Sequence, residues 1–407
     1  MFLMWSEETE TSLTLFANVL FIGLQIPSKE ESMKKALCFL LLGSFFWGFA
    51  SITPALATEE VIKIGVVGPM TGDFASNGHS QLTGAQMKTK ELNDAGGNYK
   101  IELIVEDDAS NCDQSVNATT KVITRNNVAA VIGAVNSPCA LAMVPITQRY
   151  ETPQFTFGVG TAITQKGSKW VFRVAVGAPG QARELVNYAV KKLGQKKFAI
   201  MYADDEYGAS MATGFKEALA EFKLEPVAYE SYPRSDKDFT GQLTRIKNSG
   251  ATAFFPTGSY TASALIAKQA QQLGLKLQLL GDTGNASPKY MELGGDAVEG
   301  TVIVEPFTVA DPDPKVQAFC DKYRKMFKRE PDGWVAEIYD TVGMIHAAVS
   351  KAGKTDRKVI RDYAASLKPG APYKGILGDW YFDSVGNAAF PLYKVQIKGG
   401  KKVILER

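Results

Sequence analysis

Short apolar runs alternate along this chain with longer stretches in which apolar residues return every three or four positions. The first pattern is that of strands buried on both faces and the second that of helix faces. Together they predict strands over 62–67, 100–105, 129–132, 154–157 and 170–174, with helices over 80–95, 114–125 and 138–150 between the first four. A helix over 179–193 opens a second series, with strands over 198–202, 226–232, 253–255, 277–280 and 301–305. The helices of that series fall over 209–222, 238–249 and 262–273, with a short one around 289–293. Helices over 314–327, 334–352 and 356–366 follow, then two strand-like runs over 392–397 and 402–405 turned by Gly399-Gly400. Gly96, Gly194, Gly250 and Gly274 stand where helices should stop, as expected of the residue that enters the left-handed region without strain.

Strand-helix alternation requires right-handed crossovers and parallel sheets. There are too many strands for one such sheet, so the expected fold class is α/β with two doubly wound, Rossmann-like lobes facing each other across a cleft. Ligands of such sheets bind beyond the carboxyl ends of the strands, which makes the loops after strands the place to look for function.

The N-terminal region changes the class further. Met33-Lys34-Lys35 precedes an apolar run over 36–50, and Ala55-Leu56-Ala57 follows it. This is the pattern of a secretory signal with cleavage after Ala57. Glu7, Glu8 and Glu10 are wrong for an export start, so Met33 is the expected true start and 1–32 an extension. The apolar patch over 13–26 is shorter than the roughly 20 residues a spanning helix needs. Removing 1–57 takes away a net charge of −2, which changes the chain from +2 to +4. So mild a charge, without a run of basic residues, argues against a nucleic-acid partner. Of the four cysteines, Cys38 leaves with the signal and Cys320 sits on an apolar helical face as a core residue. Cys112 and Cys139 lie on neighbouring loops of an exported chain and are a disulfide candidate.

Enzyme signatures are missing. Gly68-Pro69-Met70-Thr71-Gly72 has the wrong spacing for a dinucleotide loop, and Gly158-Val159-Gly160 is only a fragment of one. Gly353-Lys354-Thr355 ends a helix instead of opening one, and there is no nucleophile elbow. The histidines are His79, read as capping a helix start, and His346, read as structural. They are too few for a zinc site. Asp107-Asp108 and Asp204-Asp205 stand at strand ends, where capping or bridging is favoured over acid-base work. No covalent chemistry, cofactor or metal is therefore expected.

The positive signal is for polar binding loops. Asn136-Ser137-Pro138 reads as a helix start with Ser137 as N-cap and proline at the first position, and such a start can hold a carboxylate. Gly158 and Gly160 allow close approach to the backbone, and Thr161 adds a hydroxyl. Tyr207 and Tyr260 follow corresponding strands of the second lobe and could cover a ligand or pack the loops. Asp282 could meet a ligand ammonium or cap the next helix.

In this order these residues resemble the branched-chain amino acid (leucine/isoleucine/valine) binding proteins of bacterial uptake transporters, which have the type I periplasmic binding protein fold. The likeness runs from about Val61 to the C-terminus. It is carried by Gly65-Val66-Val67-Gly68-Pro69-Met70-Thr71-Gly72, Asn93-Asp94-Ala95-Gly96-Gly97, Glu106-Asp107-Asp108 with Cys112, Tyr202-Ala203-Asp204-Asp205-Glu206-Tyr207-Gly208 and Lys237-Asp238-Phe239. Cys112 stands on the loop that carries half of the family's disulfide, and Cys139 stands a few positions from the other half. The resemblance implies that Ser137 helps hold a ligand carboxylate, that the Gly158 backbone meets the ligand, and that Tyr207 and Tyr260 contribute from the second lobe. Three positions depart. Gly160 stands where the family has a threonine, with Thr161 beside it. Thr283 stands where a glutamate meets the ligand ammonium, with Asp282 one step back. Asn77 stands where an aromatic residue often flanks the ligand.

The implied protein is a periplasmic, monomeric solute-binding protein of an ATP-driven (ABC) importer. It would capture a small carboxylate-bearing ligand, a branched-chain or related amino acid, and deliver it to a permease in the inner membrane. Relatives of the fold also bind aromatic carboxylates, amides and urea, and some serve as sensory domains. The expected lobes are 58–177 with 307–388 and 178–306 with 389–407, joined by a three-segment hinge near Gly177, Pro306 and Gly386–Pro391.

Overall fold

The computed structural model describes residues 60–407. The expected start site, signal peptide and cleavage point lie outside these residues. Strand β1 (Glu60–Gly68) carries Ile62, Ile64, Val66 and Val67 with no exposed surface, because it lies inside a sheet that helices cover on both faces. It pairs in parallel with β2 (Tyr99–Asp107) on one side and β3 (Ala130–Ile132) on the other, and β4 (Gln154–Thr156) and β5 (Val171–Arg173) complete the order β2-β1-β3-β4-β5. The crossovers are α1 (Ala75–Ala95), α2 (Cys112–Thr124) and α3 (Ser137–Arg149), and a single turn, α4 (Ala162–Gln165), lies between β4 and β5.

The chain then winds a second time. Helix α5 (Ala178–Lys191) leads into β6 (Phe198–Ala203), α6 (Glu206–Ala220), β7 (Ala228–Tyr232), α7 (Thr240–Asn248), β8 (Ala253–Thr257), α8 (Tyr260–Gln272) and β9 (Gln278–Gly281). Helix α9 (Pro288–Gly294) precedes β10 (Val302–Glu305). The parallel order β7-β6-β8-β9-β10 repeats the winding of the first sheet. Phe198 and Ile200 of β6 enter one core of this lobe, while Ala199 and Met201 enter the core on the opposite face, the two-residue alternation of a strand.

After β10 the chain returns to the first lobe through α10 (Pro314–Phe327), α11 (Gly333–Ala352) and α12 (Arg357–Ser366). Trp334, Val335, Ile338, Val342 and Ile345 of α11 share one core with Ile62, Ile64 and Val66. A small antiparallel sheet of β11 (Tyr373–Gly375), β12 (Gly378–Phe382) and β13 (Ala388–Ala389) follows. Asp340 of α11 pins its turn by accepting from Ile376 N (2.8 Å), Leu377 N (3.1 Å) and Trp380 Nε1 (3.2 Å). The chain then crosses a third time and adds β14 (Tyr393–Lys398), antiparallel to β10, and β15 (Lys401–Glu406), antiparallel to β14.

Cys112 and Cys139 form a disulfide with their Cα atoms 4.3 Å apart, tying α2 to α3. Helix α1 starts at Ala75, five residues ahead of the sequence expectation. Its first turns bury polar Asn77 and Ser80, which masks the apolar period. For the same reason exposed His79 lies in the second turn instead of capping the start. The sheet of β11–β13 and the turn α4 are too short to show a period. Among the described residues, no helix is long and apolar enough to cross a membrane.

Candidate functional site

The loops at the carboxyl ends of both sheets face each other around a narrow cavity enclosed between the lobes. The first lobe supplies Phe74 and Asn77 after β1, Asn136, Ser137 and Pro138 at the start of α3, Phe157 and Val159 after β4, and Trp334 in the first turn of α11. The second supplies Asp205 and Tyr207 after β6, Tyr260 after β8, and Thr283 and Gly284 after β9. Thus Asn77, Ser137, Tyr207, Tyr260 and Thr283, all singled out in the sequence, come together on one wall or another. Gly158, Gly160, Thr161 and Asp282 do not line it.

Helix α3 begins one residue earlier than expected. Asn136 is the N-cap in extended conformation, and Ser137 opens the helix with Pro138 behind it. Pro138 has no N–H and Ala140 N donates to Asn136 O, so the Ser137 and Cys139 amides are the ones left without a partner within the helix, and the helix dipole adds positive potential there. Ser137 Oγ accepts from Gly160 N at 3.0 Å, which leaves its own O–H free to donate. The site therefore offers donors to an anionic group at its polar end. Phe74, Val135, Phe157, Val159 and Trp334 make an apolar part of the wall, and Phe157 and Trp334 pack at 6.2 Å between ring centres.

Asp282 is fully buried and fully used. It accepts from Tyr207 Oη (2.6 Å), Gly284 N (2.8 Å) and Thr257 Oγ1 (2.7 Å), and Asn285 closes a capping box with it. Of the two roles open in the sequence, capping is the one the geometry displays. Burial raises its carboxyl above the usual range against these bonds. Burial, together with the Asp282 charge, pushes the Tyr207 phenol well above its ordinary value, so it stays a donor. Asp205 caps α6 through Gly208 N at 2.9 Å, as the sequence reading favoured, and also reaches the cavity wall. Burial raises it while the bond from Gly208 and nearby Arg234 pull it down.

The 158–161 loop acts as a brace. Arg173, at the end of β5 and 2 % exposed, donates Nε to Gly158 O at 2.9 Å and Nη2 to Gly160 O. Gly160 faces the other lobe so closely that a Cβ would lie 2.7 Å from Glu206 Cγ and 2.9 Å from Ser137 Cβ. Thr161 N and Ala162 N donate across the cleft to Ser210 Oγ (3.0 Å) and Glu206 Oε1 (3.1 Å). On the far side of the cavity Ser76 N meets Tyr260 Oη at 3.4 Å, and the Arg234 guanidinium lies 4.7 Å over the Phe74 ring. The lobes are closed on each other. Sequence reasoning missed Phe74 and Trp334. Trp334 comes from a helix that does not follow a strand, and its one local signal is Asp332, the N-cap that accepts from Val335 N at 3.1 Å.

The sequence pattern of one family spans nearly all of this, matching residues 61–402. The chain belongs to the periplasmic binding protein family. It is 28% identical over 363 residues to the Leu/Ile/Val-binding protein homolog 3 of Brucella melitensis, covering 88% of this chain and 97% of that one. Among solved structures it is similar to the branched-chain amino acid transporter substrate-binding protein LivJ of Streptococcus pneumoniae in complex with isoleucine. There the TM-score is 0.78 at 26% identity, over 86% of this chain and 100% of that one. It is also similar to a solute-binding protein of an ABC transporter from Rhodopseudomonas palustris in complex with 3,4-dihydroxybenzoic acid, with a TM-score of 0.76 at 25% identity over 85% and 96% of the two chains. These neighbours agree with the fold expected from the sequence, two doubly wound lobes of type I.

Proposed function

We propose that this chain is the extracytoplasmic solute-binding protein of an ABC importer, capturing a small carboxylate-bearing ligand between its lobes and delivering it to a membrane permease. The observation that carries this is the start of α3. Free amides and the Ser137 hydroxyl open there onto an aromatic-walled cavity that two lobes close over. Ser137 receives the carboxylate, Tyr207 and Tyr260 cover the ligand from the second lobe, and the apolar body lies against Phe157 and Trp334. Gly158, Gly160 and Thr161 act behind the wall, on closure. The hinge lies near Gly177, Pro306 and Gly386–Pro391, and closure around it is the signal the permease reads. The protein works as a periplasmic monomer without covalent chemistry. The relatives' names point to branched-chain amino acids as the first ligands to try. A second reading, a carboxylate without an ammonium group such as an aromatic acid, is favoured by Asp282, whose carboxylate is wholly engaged by Tyr207, Thr257 and Gly284.

A thermal-shift screen against amino acids, aromatic acids, urea and short amides tests this, since a ligand that binds only the folded state raises the midpoint by mass action. A rise with one or more small carboxylates is expected. Rises confined to uncharged or cationic compounds would refute the assignment of the α3 start.

A further inference from the structure

The polar atoms around the cavity divide into those already bonded and those left over. Ser137 Oγ accepts from Gly160, Asp205 caps α6, Tyr207 Oη donates to Asp282, and Tyr260 Oη accepts from Ser76. Asn77 Oδ1 and Asn136 Oδ1 are buried acceptors with no partner in the protein, on residues only 2 % and 5 % exposed. Buried polar groups in folded proteins are almost always paired, and an unpaired one calls for an explanation. Both residues belong to the first lobe and both line the cavity, so a bound molecule is the available partner.

The two carboxamides are placed for different tasks. Asn136 is the N-cap of α3, beside Ser137, and its Nδ2 bonds only to the Cys139 sulfur at 3.0 Å. Turning the amide over exchanges its two ends and gives up only a contact to a poor acceptor, so it can present N–H to a carboxylate at the helix start. Asn77 stands in the first turn of α1, where its oxygen needs a donor. An ammonium is the wrong match. Asp282 is sealed behind Tyr207 and Thr257, Thr283 is neutral, and Asp205, the one carboxylate lining the cavity among the described residues, is held by Gly208 beside Arg234. A cation buried there would find only Asp205, whose charge the nearby Arg234 already offsets. A hydroxyl or amide N–H satisfies a carboxamide oxygen without a charge to desolvate.

We infer that the ligand is a carboxylic acid with an apolar body and a neutral hydrogen-bond donor in place of an α-ammonium group, and that Asn77 is the residue that reads this donor. The inference rests on the cavity being the ligand site, as proposed above.

Isothermal titration separates the two ideas. The probes are 4-methylpentanoate, 2-hydroxy-4-methylpentanoate and leucine, which differ only in hydrogen, hydroxyl or ammonium at one carbon, together with benzoate and 4-hydroxybenzoate. The wild-type protein is expected to bind the hydroxylated member of one series about tenfold or more tightly than its unsubstituted partner, since that donor relieves a buried unpaired oxygen. It should also bind 2-hydroxy-4-methylpentanoate more tightly than leucine. Asn77→Leu should bring the ratio between hydroxylated and unsubstituted acids to near one. Asn77→Asp, of the same size and carrying a carboxylate, should shift preference toward leucine. Circular dichroism on both variants confirms that they are folded. A wild-type preference for leucine, or a hydroxyl preference that survives in Asn77→Leu, overturns the inference and leaves the site assignment standing. Failure of the wild-type protein to bind any of the five acids overturns both.

Discussion

Arg173 offers a test of the structure that needs no ligand. The side chain leaves the last residue of β5 and is buried where the chain crosses to the second lobe. Its guanidinium satisfies two carbonyls of the loop behind the cavity, Gly158 O and Gly160 O. Burial pulls its pKa down to about 10, against the opposing pull of Asp383 and Glu206. It is therefore charged at neutral pH. In Arg173→Leu the shape of the stem is partly kept and both bonds vanish. Each hydrogen bond to a charged group is worth about 1.5–3 kcal/mol, and the carbonyls left behind lose their partner. Against this, the variant no longer buries a charge, which returns part of the loss. The expected net destabilisation is about 3 kcal/mol, with Arg173→Lys intermediate because one ammonium cannot serve both carbonyls in a fixed fork. Urea denaturation followed by circular dichroism measures it as a shift in midpoint at constant slope. A loss below about 1 kcal/mol for Arg173→Leu would mean that the carbonyls are satisfied without the guanidinium, and the bracing role would fall.

Two further outcomes are expected. Removing the bridge in Cys112→Ser/Cys139→Ser should cost roughly 3–4 kcal/mol from the entropy of the loop it closes, seen as a lower urea midpoint, and equal stability of the oxidised protein and the double variant would contradict it. Asp340 titrates near 6 because burial outweighs its three hydrogen bonds, above the value near 3.9 expected for an unfolded aspartate. A raised carboxyl favours the folded state only while protonated. Its contribution is complete below about pH 3.9 and is lost as pH rises through about 6. A carbon-13 NMR titration that places the Asp340 carboxyl below 4 would refute the account of its burial.

The sequence alone determined the elements and their class. The apolar run of β1, the helical period of α5 through α8 and the glycines that close helices are local properties, set by side-chain spacing and backbone sterics. Strand-helix alternation then left two parallel sheets with loops at their carboxyl ends, and those loops carry Ser137, Tyr207 and Tyr260 to the cavity. Tertiary structure decided what each polar group is free to do. Asp282 is legible as a possible ammonium partner, yet it is consumed by Tyr207 and Thr257, which lie 75 and 25 residues away in the chain. Gly160 reads as room for a ligand, but the atoms that fill the room are those of Glu206 from the facing lobe. Trp334 and Arg173 reach the site and its brace only because the chain returns to the first lobe and crosses at β5. A hydrogen bond is satisfied by whichever partner folding brings within about 3 Å. Local spacing carries no record of that partner when it lies in another lobe.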